Sequence, residues 1–158
     1  MQSKEKNNLV IIRLFPNEDI YEKLKEACKK HNVETAIVLS GLGQLKQFQL
    51  GYFKEKGNYV PEDLIEAHEL LSLTGSISKQ KEGYEFHLHA TLGNEKKKVV
   101  GGHLIKGNVE VTNEIVLLKT DLKLKRRVEE STGLKGLFLE ETKKQRRNWY
   151  EKNLKKRH

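Results

Sequence analysis

From Leu45 to Val116 the sequence contains no stretch of helical period, only apolar runs cut by turn residues. Phe86–Leu92, Val99–Ile105 and Val109–Lys119 read as strands, with turns at "GNEKK" and "KGN". A doubly wound fold needs helices between successive strands, so this interval excludes it. What remains is an α+β fold with a mainly antiparallel sheet. The principal helix comes early. A strand over Leu9–Phe15 stops at Pro16, Asn17 is the expected N-cap, and Glu18 and Asp19 suit the positive helix end. Ile20, Leu24, Ala27, Cys28 and His31 then line one helical face, and His31 suits the negative terminus. "ETAIVLSGLGQLKQFQLGYFK" reads as strand, glycine-relieved turn and strand; "NYVPEDL" as a loop; "ELLSLTGSISK" as a strand. "LKLKRR" alternates as a half-buried strand does, and "TGLKGLFLEE" closes with one more short strand.

At 158 residues the chain fits one domain with a real core. No apolar run approaches the roughly 18–20 residues of a membrane span. The short apolar run Leu9–Ile12 is followed by no small-residue cleavage site, so the expectation is a cytoplasmic protein with no membrane partner. The lone Cys28 fits a reducing compartment and reads as a small core residue. The net charge of +8 is unevenly placed. Residues 142–158 carry eight Lys/Arg and one Glu, a net +7, whereas residues 1–141 hold 22 basic and 21 acidic side chains, a net +1. The expected organisation is therefore a globular domain over 1–141 and a basic C-terminal tail over 142–158.

Three of the six histidines lie in "YEFHLHATLGNEKKKVVGGHL". His87 and His89 share a strand face, with Cα atoms about 6.5–7 Å apart. If the hairpin folds so that Thr91 opposes Val99, His87 opposes His103 and His89 opposes Gly101. All three histidines then share one face, and Phe86, Leu88, Ala90, Val100, Gly102 and Leu104 share the other. Gly101 would leave room beside His89. Such imidazoles can converge on one ion; they can also be a solvated polar face.

In order along the chain, "RLFPNEDIYEKLKEAC", "HELLSLTGSIS", "HLHATLG", "VVGGHL" and "LKRRVEESTGLKGLFL" resemble the plants and prokaryotes conserved (PPC) domain family, from about Leu9 to Leu139. The resemblance implies a mainly antiparallel α+β domain that assembles as a homotrimer. It also implies a metal, usually zinc, on the histidines that match His-x-His and Gly-Gly-His, which here are His87, His89 and His103. Plant relatives join the domain to an Arg-Gly-Arg-Pro AT-hook. This sequence has none, its only prolines being Pro16 and Pro61, so the stand-alone prokaryotic type is the nearer match.

Three histidines on Zn²⁺ leave a fourth position open, where a water or a small anionic ligand can bind. An open Zn²⁺ lowers the pKa of its water to about 7, so a hydrolase or lyase is one alternative. Glu69 is the candidate base, and His68 is either a fourth ligand or a surface histidine. The other alternative is a nucleic-acid-associated protein. In the tail, Lys143, Lys144, Arg146, Arg147, Lys155, Lys156 and Arg157 surround Trp149, a pattern that can grip phosphates and stack on bases without sequence preference. It equally fits a solvated tail. Gly41 and Gly43 lack the third glycine of a dinucleotide loop, and neither "STG" nor "SLTG" has an adjacent acid/base pair.

Overall fold

The computed structural model describes residues 1–139; the tail residues Lys143 to Arg157 named above lie outside them. Within that span, strands β1 (Gln2–Lys6) and β2 (Leu9–Leu14) precede the one helix, α1 (Ile20–Lys30). Strands β3 (Thr35–Glu55), β4 (Asn58–Leu64), β5 (His68–Gln80), β6 (Gly83–Gly93) and β7 (Val99–Thr120) follow, then β8 (Leu124–Val128) and β9 (Lys135–Leu139). All pairings between these strands are antiparallel. Seven strands form one sheet in the order β1-β2-β7-β6-β5-β3-β4, and a further β7–β3 pairing closes β7-β6-β5-β3 into a ring. The hairpin β8–β9 stands apart. The sequence expectation of a mostly antiparallel sheet with one early helix matches this architecture.

Two expected turns are absent. Strand β3 runs unbroken through Gly41 and Gly43, bending at irregularities between Val38 and Ser40, Gly43 and Leu45, and Lys46 and Gln49. Strand β7 likewise runs through "KGN". Glycine inside a strand permits close approach as well as a turn. At Gly107 a Cβ would stand 3.2 Å from Phe48 Cβ, so this residue lets β3 pack tightly. The "NYVPEDL" segment is strand β4, not a loop. It tolerates Pro61 because β4 is the outermost strand of its sheet, where a missing N–H costs no ladder bond.

Ile20, Leu24, Ala27 and Cys28 of α1 are fully buried with Val10, Ile12 and Leu14 of β2. Burial pushes the Cys28 thiol up to about 12, leaving an inert core residue. The N-cap is Asp19, not Asn17: the Asp19 carboxylate accepts from Glu22 N at 2.8 Å. Asn17 instead takes a turn conformation with φ 67° and donates its N–H to the Val109 carbonyl. His31 closes the helix, and its ring is engaged with β1. Its Nδ1 lies 3.2 Å from Glu5 Oε2 and its Nε2 lies 2.9 Å from Ser3 Oγ. Lys119 Nζ joins the same knot, donating to Glu5 Oε1 and to the His31 carbonyl, both at 2.7 Å. These bonds recruit the polar "QSKEK" as a strand, which its composition did not announce.

Gly75, in β5, has φ 144°, a region that side chains other than glycine rarely adopt, and its added Cβ would lie 1.9 Å from the His87 carbonyl oxygen. It therefore fixes how closely β5 approaches the histidine strand. Gly83 has φ 131° but nothing within 4 Å of a built Cβ. Gly75→Ala is expected to cost at least about 2 kcal/mol in urea unfolding, and Gly83→Ala about 1 kcal/mol, since only the first adds a backbone collision to the strain.

Candidate metal centre

Alternation on β6 sets the site. Leu88, Ala90 and Leu92 point into the core, which turns His87, His89 and Thr91 outward. The β6–β7 register is two residues from the expected one: His89 opposes His103, Thr91 opposes Gly101, and Gly93 opposes Val99. Asn94 explains the shift. Its side-chain oxygen accepts from Lys96 N and Lys98 N, both at 3.0 Å, and Lys97 adopts φ 61°, so the turn fills residues 94–98. A two-residue shift preserves the face, and the three histidines still converge. It does change the glycines. Gly101 lies opposite Thr91, with a built Cβ 3.1 Å from the Ala90 carbonyl, and opens no space beside His89. A Cβ on Gly102 would lie 3.0 Å from the Gly51 carbonyl, so this glycine serves the close crossing of β7 with β3.

The three rings form a nearly equilateral cluster, with centroids 5.2 Å apart for His87–His89 and 5.4 Å for each of the other pairs. One nitrogen from each ring lies within 4.8 Å of the others. His87 Nε2 and His89 Nε2 are 3.2 Å apart, close to the about 3.3 Å expected of two nitrogens sharing one tetrahedral zinc ion. Burial, with smaller contributions from the neighbouring His87 and His89, lowers the His103 pKa to about 4. Burial, then Arg126, then His89 lower that of His87. Both rings are neutral near pH 7, with lone pairs available to a cation. The donor set therefore suits a divalent ion that accepts imidazole, zinc among them.

Residues without a sequence signal complete the surroundings. Gly51 of β3 lies opposite His103, and a Cβ there would collide with the Tyr59 ring. Tyr59 of β4 thus packs edge-on to His103, with centroids 6.4 Å apart. The β8–β9 hairpin stands beside the histidines, carrying Arg126, whose Nη2 donates to Ser76 Oγ at 2.8 Å. Lys135 of β9 pairs with Glu85 of β6. Two cavities of about 510 and 430 Å³ lie between hairpin and sheet, sharing His87, Arg126, Leu134 and Lys135. Alternation along β6 and β7 could reveal the histidines, but the return of the hairpin onto them is a long-range event.

The other candidates lie elsewhere. Glu69 opposes Gly93, four residues along β6 from His89 and hence about 13 Å away. It accepts a hydrogen bond from Gln44 Nε2 at 2.9 Å. The structure does not bring it to the histidines. His68 is neither a ligand nor a surface residue: it is buried, its Nδ1 lies 3.0 Å from the Glu66 carbonyl, and its ring packs edge-on to Phe48.

Comparison with known proteins accords with this geometry. A solved plant- and prokaryote-conserved protein from Pyrococcus horikoshii is 33% identical, with TM-score 0.74 over 90% of this chain and 96% of that one. The metal-containing protein of Archaeoglobus fulgidus is 27% identical, with TM-score 0.75 over 85% and 95%. A Bacteroides thetaiotaomicron protein, described as a candidate DNA-binding protein, is 25% identical, with TM-score 0.81 over 89% and 98%. A curated relative, the bifunctional protein GlmU of a Synechococcus strain, is 30% identical over 82% of this chain, which spans about a fifth (20%) of that protein's length. The model of the Plants and Prokaryotes Conserved (PCC) domain matches residues 1–121, and the chain belongs to that family.

Proposed function

We propose that His87, His89 and His103 hold one divalent metal ion, zinc by preference, in a cytoplasmic homotrimer that binds or senses a small anion. The observation that carries this reading is the convergence of three imidazole nitrogens within 4.8 Å. Similarity to the metal-containing Archaeoglobus fulgidus protein supports it. When bound, such an ion supplies Lewis acidity at an open coordination position. The protein's part is to hold the three imidazoles in place through the alternation of β6 and the β6–β7 ladder. A hydrolase or lyase reading is weaker, because Glu69 sits too far along the sheet to move a proton at the site. Elemental analysis of the untagged protein should find close to one metal per chain, with most of it lost in His87→Ala and His103→Ala while circular dichroism is unchanged. Equal metal in all three samples removes the site.

The trimer reading rests on an apolar surface that no residue of the described chain covers. Leu9 and Ile11 of β2 lie opposite Leu118 and Val116 of β7, and Ile37 of β3 flanks Leu118 from the other side. Leu9, Ile11 and Ile37 are exposed, as are Leu39 and Leu42 of the same strand β3, Ile11 being 59% exposed. Sedimentation is expected to give three times the protomer mass of 18.3 kDa. Ile11→Asp with Ile37→Asp should shift it to monomer; a wild-type monomer overturns the reading.

A second reading has the basic tail contact nucleic acid, and likeness to the candidate DNA-binding protein of Bacteroides thetaiotaomicron favours it. Eight tail cations predict weak, salt-sensitive retention, strengthened by three tails acting together. Removing residues 142–158 should abolish retention of duplex DNA at low salt. No retention by the 158-residue chain rejects the reading.

A further inference from the structure

The β8–β9 hairpin brings an unused cation to the histidines. Arg126 borders both cavities beside them and spends one donor on Ser76 Oγ. A guanidinium carries five N–H donors in a planar fork, so most of its capacity remains. Among the described residues, no carboxylate lies within ion-pair distance of Arg126. Two acids also line the cavities: Glu85 pairs with Lys135 and adds an attraction on Arg126 from beyond ion-pair distance, and Glu129 borders only the larger cavity, so together they offset no more than the charges of Lys135 and Arg126. With a divalent ion on the histidines, the walls would hold an excess of positive charge that the chain does not neutralise. That excess selects an anion.

The smaller cavity adds shape to charge. Its volume is about 430 Å³; Tyr59, Phe86, Ile105 and Leu134 contribute its apolar lining, and His87, His103, Arg126, Lys135 and Glu85 its polar lining. This combination of an apolar chamber with a few convergent polar groups is the usual form of a small-molecule site. Inorganic anions alone would leave the apolar wall unused.

We propose that Arg126 is the recognition residue for a small organic oxyanion, whose carboxylate or phosphate head sits between the guanidinium and the histidine cluster and whose apolar body fills the cavity bounded by Tyr59, Phe86, Ile105 and Leu134. The inference rests on the metal reading for the second positive charge, and it assigns the anion's position and class. Ser76 orients the guanidinium, and Lys135, held by Glu85, borders the same space. Because Arg126 and Leu134 both belong to the hairpin region, the ligand would also tie the hairpin to the sheet.

The test is calorimetric titration of the metal-loaded protein with benzoate, phenyl phosphate and inorganic phosphate, with metal content measured on every sample. Wild type should bind benzoate or phenyl phosphate. Arg126→Gln should retain its metal and lose at least about tenfold in affinity, the scale of one charge-assisted hydrogen-bond pair. Arg126→Lys should fall between them, because it keeps the charge and loses the fork. Thermal denaturation of the ligand-free variants separates loss of recognition from loss of folding. Unchanged affinity in Arg126→Gln overturns the assignment, as does absence of anion binding by metal-loaded wild type. Inorganic phosphate binding as tightly as phenyl phosphate overturns the apolar body. Wild type without metal would instead fail the earlier reading, which the metal measurement reports independently.

Discussion

Strand β7 is the constraint on which the rest of the structure depends. Backbone N–H and C=O groups in a strand need partners, and the 22-residue β7 finds them on three different strands along its length. Near its start it pairs with β6, which sets His103 opposite His89. Across its other edge, His103 and Leu104 meet Gly51 and Leu50 of β3. Toward its end it holds β2, and through Lys119 it anchors β1 and the end of α1. The bends in β3 allow one straight ladder to become a closed ring.

The site inherits its chemistry from that ring. Lying next to the crossing of β3 and β7, His103 is half-buried against Tyr59, and desolvation keeps its ring neutral. His89, further from the crossing, remains exposed. The hairpin then places a cation beside neutral imidazoles, an arrangement that makes sense when a metal and an anion share the space.

The histidine cluster was legible in the sequence because side-chain direction on a strand has period two. Any even register shift keeps His87, His89 and His103 on one face, so the convergence survived a turn that falls one residue later than expected. The same tolerance hid the pairing details: Gly101 as open space beside His89 depended on the register that Asn94 overrides. Glu69 and His68 failed for a different reason. Both belong to the segment that most resembles the family, but resemblance carries no direction or distance, and β5 takes them toward Gly93 and Phe48. Internal glycines misled where they serve close packing, at Gly107 and Gly102, because a missing Cβ looks the same in a turn and at a crossing.

By itself the sequence determined the α+β class, the buried face of α1 through Ile20, Leu24, Ala27 and Cys28, and the common face of the three histidines, because these depend on local periodicity alone. Tertiary structure decided the ring closure through β7 and β3, the capture of β1 by His31 and Lys119, and the arrival of Tyr59 and Arg126 beside the histidines. Those depend on hydrogen-bond partners and packing surfaces separated by tens of residues, which no local pattern encodes.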